Sequence, residues 1–561
     1  MLESTMKNRI NKARITGLNR RNWGLIGCLL LTPPASVTAS AAVGETVVIS
    51  IPQGELQGRT SERDSSIAVF KNIPYALPPV GQRRFRPAET AADWEGARLA
   101  TDFSPACLQP PYPSDSFYAR AATPTSEDCL YLNVWAPRSA MSAGSPATEQ
   151  AKKPDALPVM VWIHGGGLTR GSGSSAIYDG AGLAAKGVVL VTINYRLGVF
   201  GYMAHPEASA ESSAGVSGNY GTSDQIAALE WVKRNIAGFG GDPNNVTIFG
   251  ESAGSWSVHH MLATPKAKGL FHKAIGQSGA RFGRMAPLRG DASSGHARGV
   301  KLQTVLGAKS LAELRQLDGA TVLAASQQMR FYEVYDGVVF PEQLYEMFAE
   351  HRYNVVPLLV GYNADEATVF GGLENYPRSA DDYKAELQER FGDYSDSLLK
   401  HYPADDPKNS SLSLSRDTLF GHGMHTWARL NAQKEKDTYF YYFTHEPLGQ
   451  PWGAFHAAEI AYAFDNVEQP GLGSNGLPVV PPQDLDPDIA DQDQQLSTLM
   501  SDYWVAFART GTPEVEGAPR WPRYSIKKPL HLEFSAEGAT RGRNSLGKRF
   551  STLDKLSASQ R

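Results

Sequence analysis

Several stretches of the chain are apolar without polar alternation. "LPVMVWI" runs from Leu157 to Ile163, "GVVLVTINY" from Gly187 to Tyr195 and "NNVTIFG" from Asn244 to Gly250. Continuous apolar runs of this length read as strands buried on both faces, the pattern of a parallel sheet covered by helices. "EDCLYLNVWAP" alternates as a strand, and "NVVPLLVGYNADE", "DTYFYYFTH" and "LHLEF" supply later ones. "GELQGRTS" and "IAVFKNIPYALPPV" read as short strands and turns near the start. In "GTSDQIAALEWVKRNIAGFGGDP" the pattern becomes helical. Thr222 and Gln225 stand at capping-box spacing, and Ile226, Leu229, Val232 or Lys233, and Ile236 form one stripe. Gly238 and Gly240 stop it. Strand, helix, strand is a βαβ unit, so the fold class is α/β, with a large mostly parallel central sheet flanked by helices. Helical patterns from Arg281 to Tyr353 and from Tyr383 to Arg429 are expected to roof the end of the sheet. Ser139–Ala156 and "QPGLGSNGLPVVPPQDLDPD" read as exposed loops within one domain, 42–561.

The first residues follow a different pattern. Lys7, Arg9, Lys12, Arg14, Arg20 and Arg21 precede the apolar run "WGLIGCLLL", and small residues follow it. Positive, apolar, then small is the order of a secretory signal peptide, here residues 1–41, with Ala39-Ser40-Ala41 as the cleavage region. The run is short for a bilayer span, which needs about 20 apolar residues, so no stable membrane anchor is expected. Arg20-Arg21 leaves a twin-arginine route open beside the general one. The expected location is periplasmic or secreted. Cys28 leaves with the signal, and Cys107 and Cys129 remain. In an exported chain this pair reads as a disulfide, with two buried reduced thiols as the alternative. The remaining composition adds little. Of 561 residues, 42% are hydrophobic and the net charge is −4, so no basic excess points to a nucleic-acid partner.

The chemistry starts at "TIFGESAGSWSV". A strand that runs through Gly250-Glu251-Ser252-Ala253-Gly254 into a helix is a nucleophile elbow, which exposes the serine on a strained turn between closely packed backbones. A serine hydroxyl needs a base and the base needs an acid, in the chain order serine, acid, histidine. "VPLLVGYNADEATVF" offers Asp365 or Glu366 directly after a buried strand, and "WGAFHAAEI" offers His456 in a loop. "WIHGGGL" places Gly165, Gly166 and Gly167 after an earlier strand. There, with the residue after the nucleophile, backbone N–H groups suit an oxyanion hole.

These pieces occur inside longer blocks: "IPYALPPVGQRRFRP", "SEDCLYLNVWAP", "VMVWIHGGG", "INYRLGVFGY", "GNYGTSDQIAALEWVKRNIAGFGGDPNNVTIFGESAG" and "AFHAAEI". Together they resemble the type-B carboxylesterases, the cholinesterase-like branch of the α/β-hydrolases, from about Gly54 to the C-terminal region. The resemblance implies an α/β-hydrolase fold and a serine hydrolase that cleaves carboxylic esters through an acyl-enzyme, with no cofactor and no metal. It implies Ser252 as nucleophile, Glu366 rather than Asp365 as the acid, His456 as the base, and Gly166, Gly167 and Ala253 as oxyanion-hole donors. It also implies pairing of Cys107 with Cys129. The expected partners are a small-molecule ester and water as second substrate.

The chain departs from the family pattern at Ala367 and Ala457, where glycine is usual, at Leu168, where an aromatic is usual, and at Thr222. Other acyl bonds (amide, carbamate, thioester, lactone) suit the same chemistry. A non-catalytic binding module of the same family would lack triad members that are present here. His164 is expected to support the oxyanion loop, and Arg196 and Asp224 to form a buried ion pair. His259, His260, His422 and His425 read as ordinary helix residues. Phe331, Tyr332, Phe370 and Trp452 are candidates both for a pocket wall and for core. The Asn245-Val246-Thr247 sequon is discounted because it enters a core strand.

Overall fold

The computed structural model describes residues 44–112, 118, 123–141, 156–370, 376–434, 437–447, 451–468, 487–543 and 547–560. The expected signal peptide and most of the two expected exposed loops lie outside these residues. From Gly44 to Arg561 the chain packs as one unit.

Among the described residues, a 13-stranded sheet forms its centre. In chain order the strands are β1 (Thr46–Ile51), β2 (Gly54–Thr60), β3 (Ile67–Pro74), β4 (Ala97–Leu99), β5 (Tyr131–Pro137), β6 (Leu157–Ile163), β7 (Val189–Ile193), β8 (Gly241–Glu251), β9 (Lys273–Gln277), β10 (Leu358–Asn363), β11 (Thr438–Phe443), β12 (Leu530–Ser535) and β13 (Gly538–Arg543). Across the sheet they lie β1-β2-β3-β5-β7-β6-β8-β9-β10-β11-β12-β13, with β4 on β2. The run from β7 to β12 is parallel throughout, and antiparallel strands close both edges.

The apolar runs behave as their pattern dictates. In β6, Val159, Val161 and Ile163 enter the core on one side of the sheet, while Met160 and Trp162 enter the core on the other. A strand with cores on both faces has no polar side to show. Helix α1 (Tyr220–Asn235) buries Ile226, Leu229 and Val232, and the turn that follows buries Ile236; Lys233 faces solvent, which settles the stripe. The expected capping box does not form. Thr222 lies inside the helix, and the N-cap is Asn219 in a left-handed conformation, φ 53°. The Asn219 side chain is taken by tertiary bonds instead. Its amide donates to Val334 O at 2.9 Å and Asp336 Oδ2 at 3.0 Å, and its oxygen accepts from Val334 N–H at 2.9 Å. These outweigh a local cap. Helix α2 (Ala253–Ala263) leaves the end of β8. Helices Gly295–Val305, Leu311–Gln316, Gly319–Ser326 and Leu344–Ala349, and later Ala380–Phe391, Pro407–Arg416 and α3 (His422–Ala432), occupy the two expected helical regions. No helix among the described residues is long and apolar enough to cross a membrane.

Candidate active site

Ser252 joins β8 to α2 with φ 56° and ψ −121°, a conformation that residues with a Cβ rarely adopt. The strain is held by close packing. A Cβ on Gly254 would stand 1.9 Å from Ile163 O, and one on Gly250 would stand 2.6 Å from the Gly254 backbone. Only glycine lets α2 fold back this tightly on β6 and β8. The Ser252 N–H donates to Gln277 O at 2.9 Å. Its hydroxyl has no hydrogen-bond partner among the described residues.

The glycine run after β6 turns beside this elbow. Gly166 and Gly167 have φ 101° and 65°. Gly166 O accepts from the Thr169 and Arg170 N–H groups at 3.1 and 3.0 Å, which closes the loop. The N–H groups of Gly166, Gly167 and Ala253 donate to nothing among the described residues. His164 supports this loop as expected. Its Nδ1 lies 2.8 Å from Gly165 O and its ring stacks on Tyr195 at 4.5 Å. Burial holds its pKa down at about 4, so it stays neutral.

Asp365 and Glu366 follow β10 and separate into two tasks. Asp365 Oδ2 accepts the Ala454 N–H at 2.9 Å and so pins the loop that carries His456. Glu366, fully buried, places Oε2 at 2.5 Å from His456 Nδ1 and accepts the Asn363 N–H through Oε1 at 2.8 Å. The other imidazole nitrogen, Nε2, lies 3.1 Å from Glu251 Oε1, the residue before Ser252. Phe370 and Phe420 cover the ring at 5.0 and 4.5 Å, and the Tyr118 hydroxyl donates to His456 O at 3.2 Å. Burial pulls the His456 pKa down, but the carboxyls of Glu251 and then Glu366 pull harder, and it rises to about 9.

Sequence reasoning missed two acids. Glu251 stands inside the elbow motif, and burial pushes its carboxyl well above the usual range. Glu459 is three residues past His456. It takes Asn363 Nδ2 on Oε2 at 2.6 Å and Gln277 Nε2 on Oε1 at 3.2 Å. Burial, then the charge of Glu366, raises its pKa to about 7. No local pattern marks it, because its partners come from β9 and β10.

The remaining residues fall into supporting roles. Arg196 bonds Asp224 through its N–H, Nε and Nη2 at 3.0, 2.8 and 2.6 Å, with both groups buried. Cys107 and Cys129 are joined as a disulfide. His259 is buried against Phe282, Phe348 and Trp427, and His260 lies 3.0 Å from Glu333. His422 binds Asp554 at 2.9 Å and His425 stacks on Phe440 at 4.3 Å. Of the four aromatics, Phe331 is core, Phe370 is exposed above His456, Trp452 is half-buried, and Tyr332 lies under a guanidinium described below. Val246 and Thr247 of the sequon are buried in β8.

The sheet order, the serine elbow and the acid–histidine pair at the ends of adjacent parallel strands define an α/β-hydrolase. The family model described as the carboxylesterase family matches residues 45–551, and the chain belongs to that family. Para-nitrobenzyl esterase of Bacillus subtilis (strain 168) is 36% identical over 495 residues, spanning 85% of this chain and 92% of the relative. Fumonisin B1 esterase of Sphingopyxis macrogoltabida is 35% identical over 489 residues, spanning 85% of each. A solved structure of a PNB esterase superposes with a TM-score of 0.74 at 33% identity, covering 90% of this chain and 99% of that one. The protein is a carboxylic ester hydrolase.

Proposed function

We propose that Ser252, His456 and Glu366 cleave the ester as a nucleophile, base and acid triad through an acyl-enzyme. The observation that carries this reading is the bond between Glu366 and His456 Nδ1 at 2.5 Å. It fixes the proton on Nδ1 and leaves Nε2 as the base on the side of the elbow. The first motion is a turn of the imidazole, which moves Nε2 from Glu251 to the unpartnered Ser252 hydroxyl; such bonds commonly tighten only when substrate is present. Oγ then attacks the ester carbonyl as Nε2 takes its proton. The unused N–H groups of Gly166, Gly167 and Ala253 receive the developing oxyanion, each worth about 3 kcal/mol in the barrier. Imidazolium protonates the leaving alkoxide oxygen, which departs as the alcohol, and water cleaves the acyl-enzyme by the same path. The disulfide, a bond that persists in oxidising compartments, supports a periplasmic or secreted location.

The test is hydrolysis of short- and medium-chain p-nitrophenyl esters beside Ser252→Ala. The wild type is expected to turn over and the variant to fall by about 10⁴ or more, to near background. Equal activity in both would remove Ser252 from the reaction.

A further inference from the structure

Segment 277–281 runs from the end of β9 past the nucleophile. Gln277 O accepts the Ser252 N–H at 2.9 Å. A Cβ on Gly279 would stand 2.2 Å from Ser252 O, and Ser255 Oγ donates to Gly279 O at 2.5 Å. Two residues on, the Arg281 guanidinium lies over two aromatic rings. It is 5.7 Å from the Trp256 ring and 5.2 Å from the Tyr332 ring. Trp256 is one helical turn from the nucleophile, its N–H on Ser252 O at 3.0 Å.

This guanidinium is two-thirds buried, yet it makes no hydrogen bond among the described residues. Its acidic neighbour Glu333 is 3.8 Å away, beyond hydrogen-bond reach, and faces His260 at 3.0 Å. Burial works against the Glu333 charge, but His260 and then Arg281 hold its carboxyl below the usual range. The indole Nε1–H of Trp256 is also buried without a partner. A planar fork of N–H donors close to two rings, with its hydrogen bonds unspent, suits an oxyanion with two acceptor atoms. The two ring contacts and its partial burial restrict the side chain, so less freedom remains to be lost on binding.

We propose that Arg281 is a specificity residue that selects esters bearing a second, free carboxylate, which it binds while Ser252 attacks the ester. The proposal rests on the esterase reading above. The shared chemistry is a carboxylate tethered to the scissile ester, on either its acyl or its alcohol part.

Four substrates separate these cases. Monoethyl glutarate and ethyl valerate differ in charge on the acyl part, and 4-acetoxybutanoate and butyl acetate differ in charge on the alcohol part. The wild type is expected to prefer the charged member of one pair in kcat/KM, and the pair that shows the preference identifies the side. In Arg281→Gln the charged-to-neutral ratio for that pair is expected to fall about ten- to hundredfold, mainly through KM. Wild-type hydrolysis of ethyl valerate should be inhibited by glutarate more strongly than by 1,5-pentanediol, a readout that needs no variant. Turnover with the neutral member preferred in both pairs overturns the assignment of Arg281 alone, as does an unchanged ratio in a folded Arg281→Gln. No turnover of any of the four overturns the esterase reading, and this one with it.

Discussion

His456 lies between two carboxyls, Glu366 on Nδ1 and Glu251 beside Nε2. Both favour imidazolium, and together they overcome the effect of burial. As the proposed base, His456 works only when neutral, so activity is expected to rise with pH, with the acid limb of kcat/KM above the ordinary histidine value of 6.5. Glu251→Gln removes the larger of the two attractions. The imidazole then loses its proton more readily, and the limb is expected to move to lower pH; a limb that stayed or moved higher would contradict this. Next to His456, Ala457 has φ 76°. A left-handed residue with a Cβ costs about 1–2 kcal/mol, and the added freedom of an unfolded glycine returns about 0.4–1 of it. Ala457→Gly is therefore expected to stabilise by about 0.5–1 kcal/mol in urea denaturation; a loss would show that this backbone is not strained. Ser252 and His456 stood out through their short motifs, whereas Glu366 was preferred to Asp365 only through the family resemblance. Glu459 did not stand out, since what makes it part of the site is its bonding to Gln277 and Asn363, far away in the chain.

Among elements, one buried ion pair ties the segment after β7 to α1. Arg196 follows β7, and Asp224 stands in the second turn of α1, both sealed from water. Two charges removed from water are tolerable only together. Asp224→Ala leaves a buried guanidinium alone and is expected to cost about 3–5 kcal/mol. Denaturation midpoints would check this, and a loss under about 1 kcal/mol would mean that water or another acid reaches Arg196. The pairing was readable from the sequence, but the start of α1 was not. Capping-box spacing at Thr222 is a local signal, whereas Asn219 is fixed by Val334 and Asp336, more than a hundred residues away. Local patterns locate helices by their buried stripe, which Ile226, Leu229 and Val232 gave correctly. They place helix ends poorly where tertiary bonds capture the capping side chain.

At the scale of the whole molecule, the buried parallel strands were the easiest part to read, because cores on both faces leave an unbroken apolar run. The edges were harder. β13, "GATRGR", has almost no apolar content and exists as the hairpin partner of β12. β4 is three residues long and, among the described residues, pairs with β2. Such strands are defined by the neighbour they complete. The sheet brings together pieces spread over about 300 residues of chain: the glycine run after β6, the elbow after β8, the acid after β10 and the histidine loop pinned to Asp365. In the proposed mechanism these pieces make Ser252 a nucleophile. The most direct measurement is intact-mass and peptide mapping of the protein after reaction with a fluorophosphonate, read against residual esterase activity. One adduct per chain is expected, on Ser252, with activity lost in proportion to labelling and no adduct on Ser252→Ala. Labelling at another residue in step with inactivation, or full activity in a chain labelled at Ser252, would contradict it.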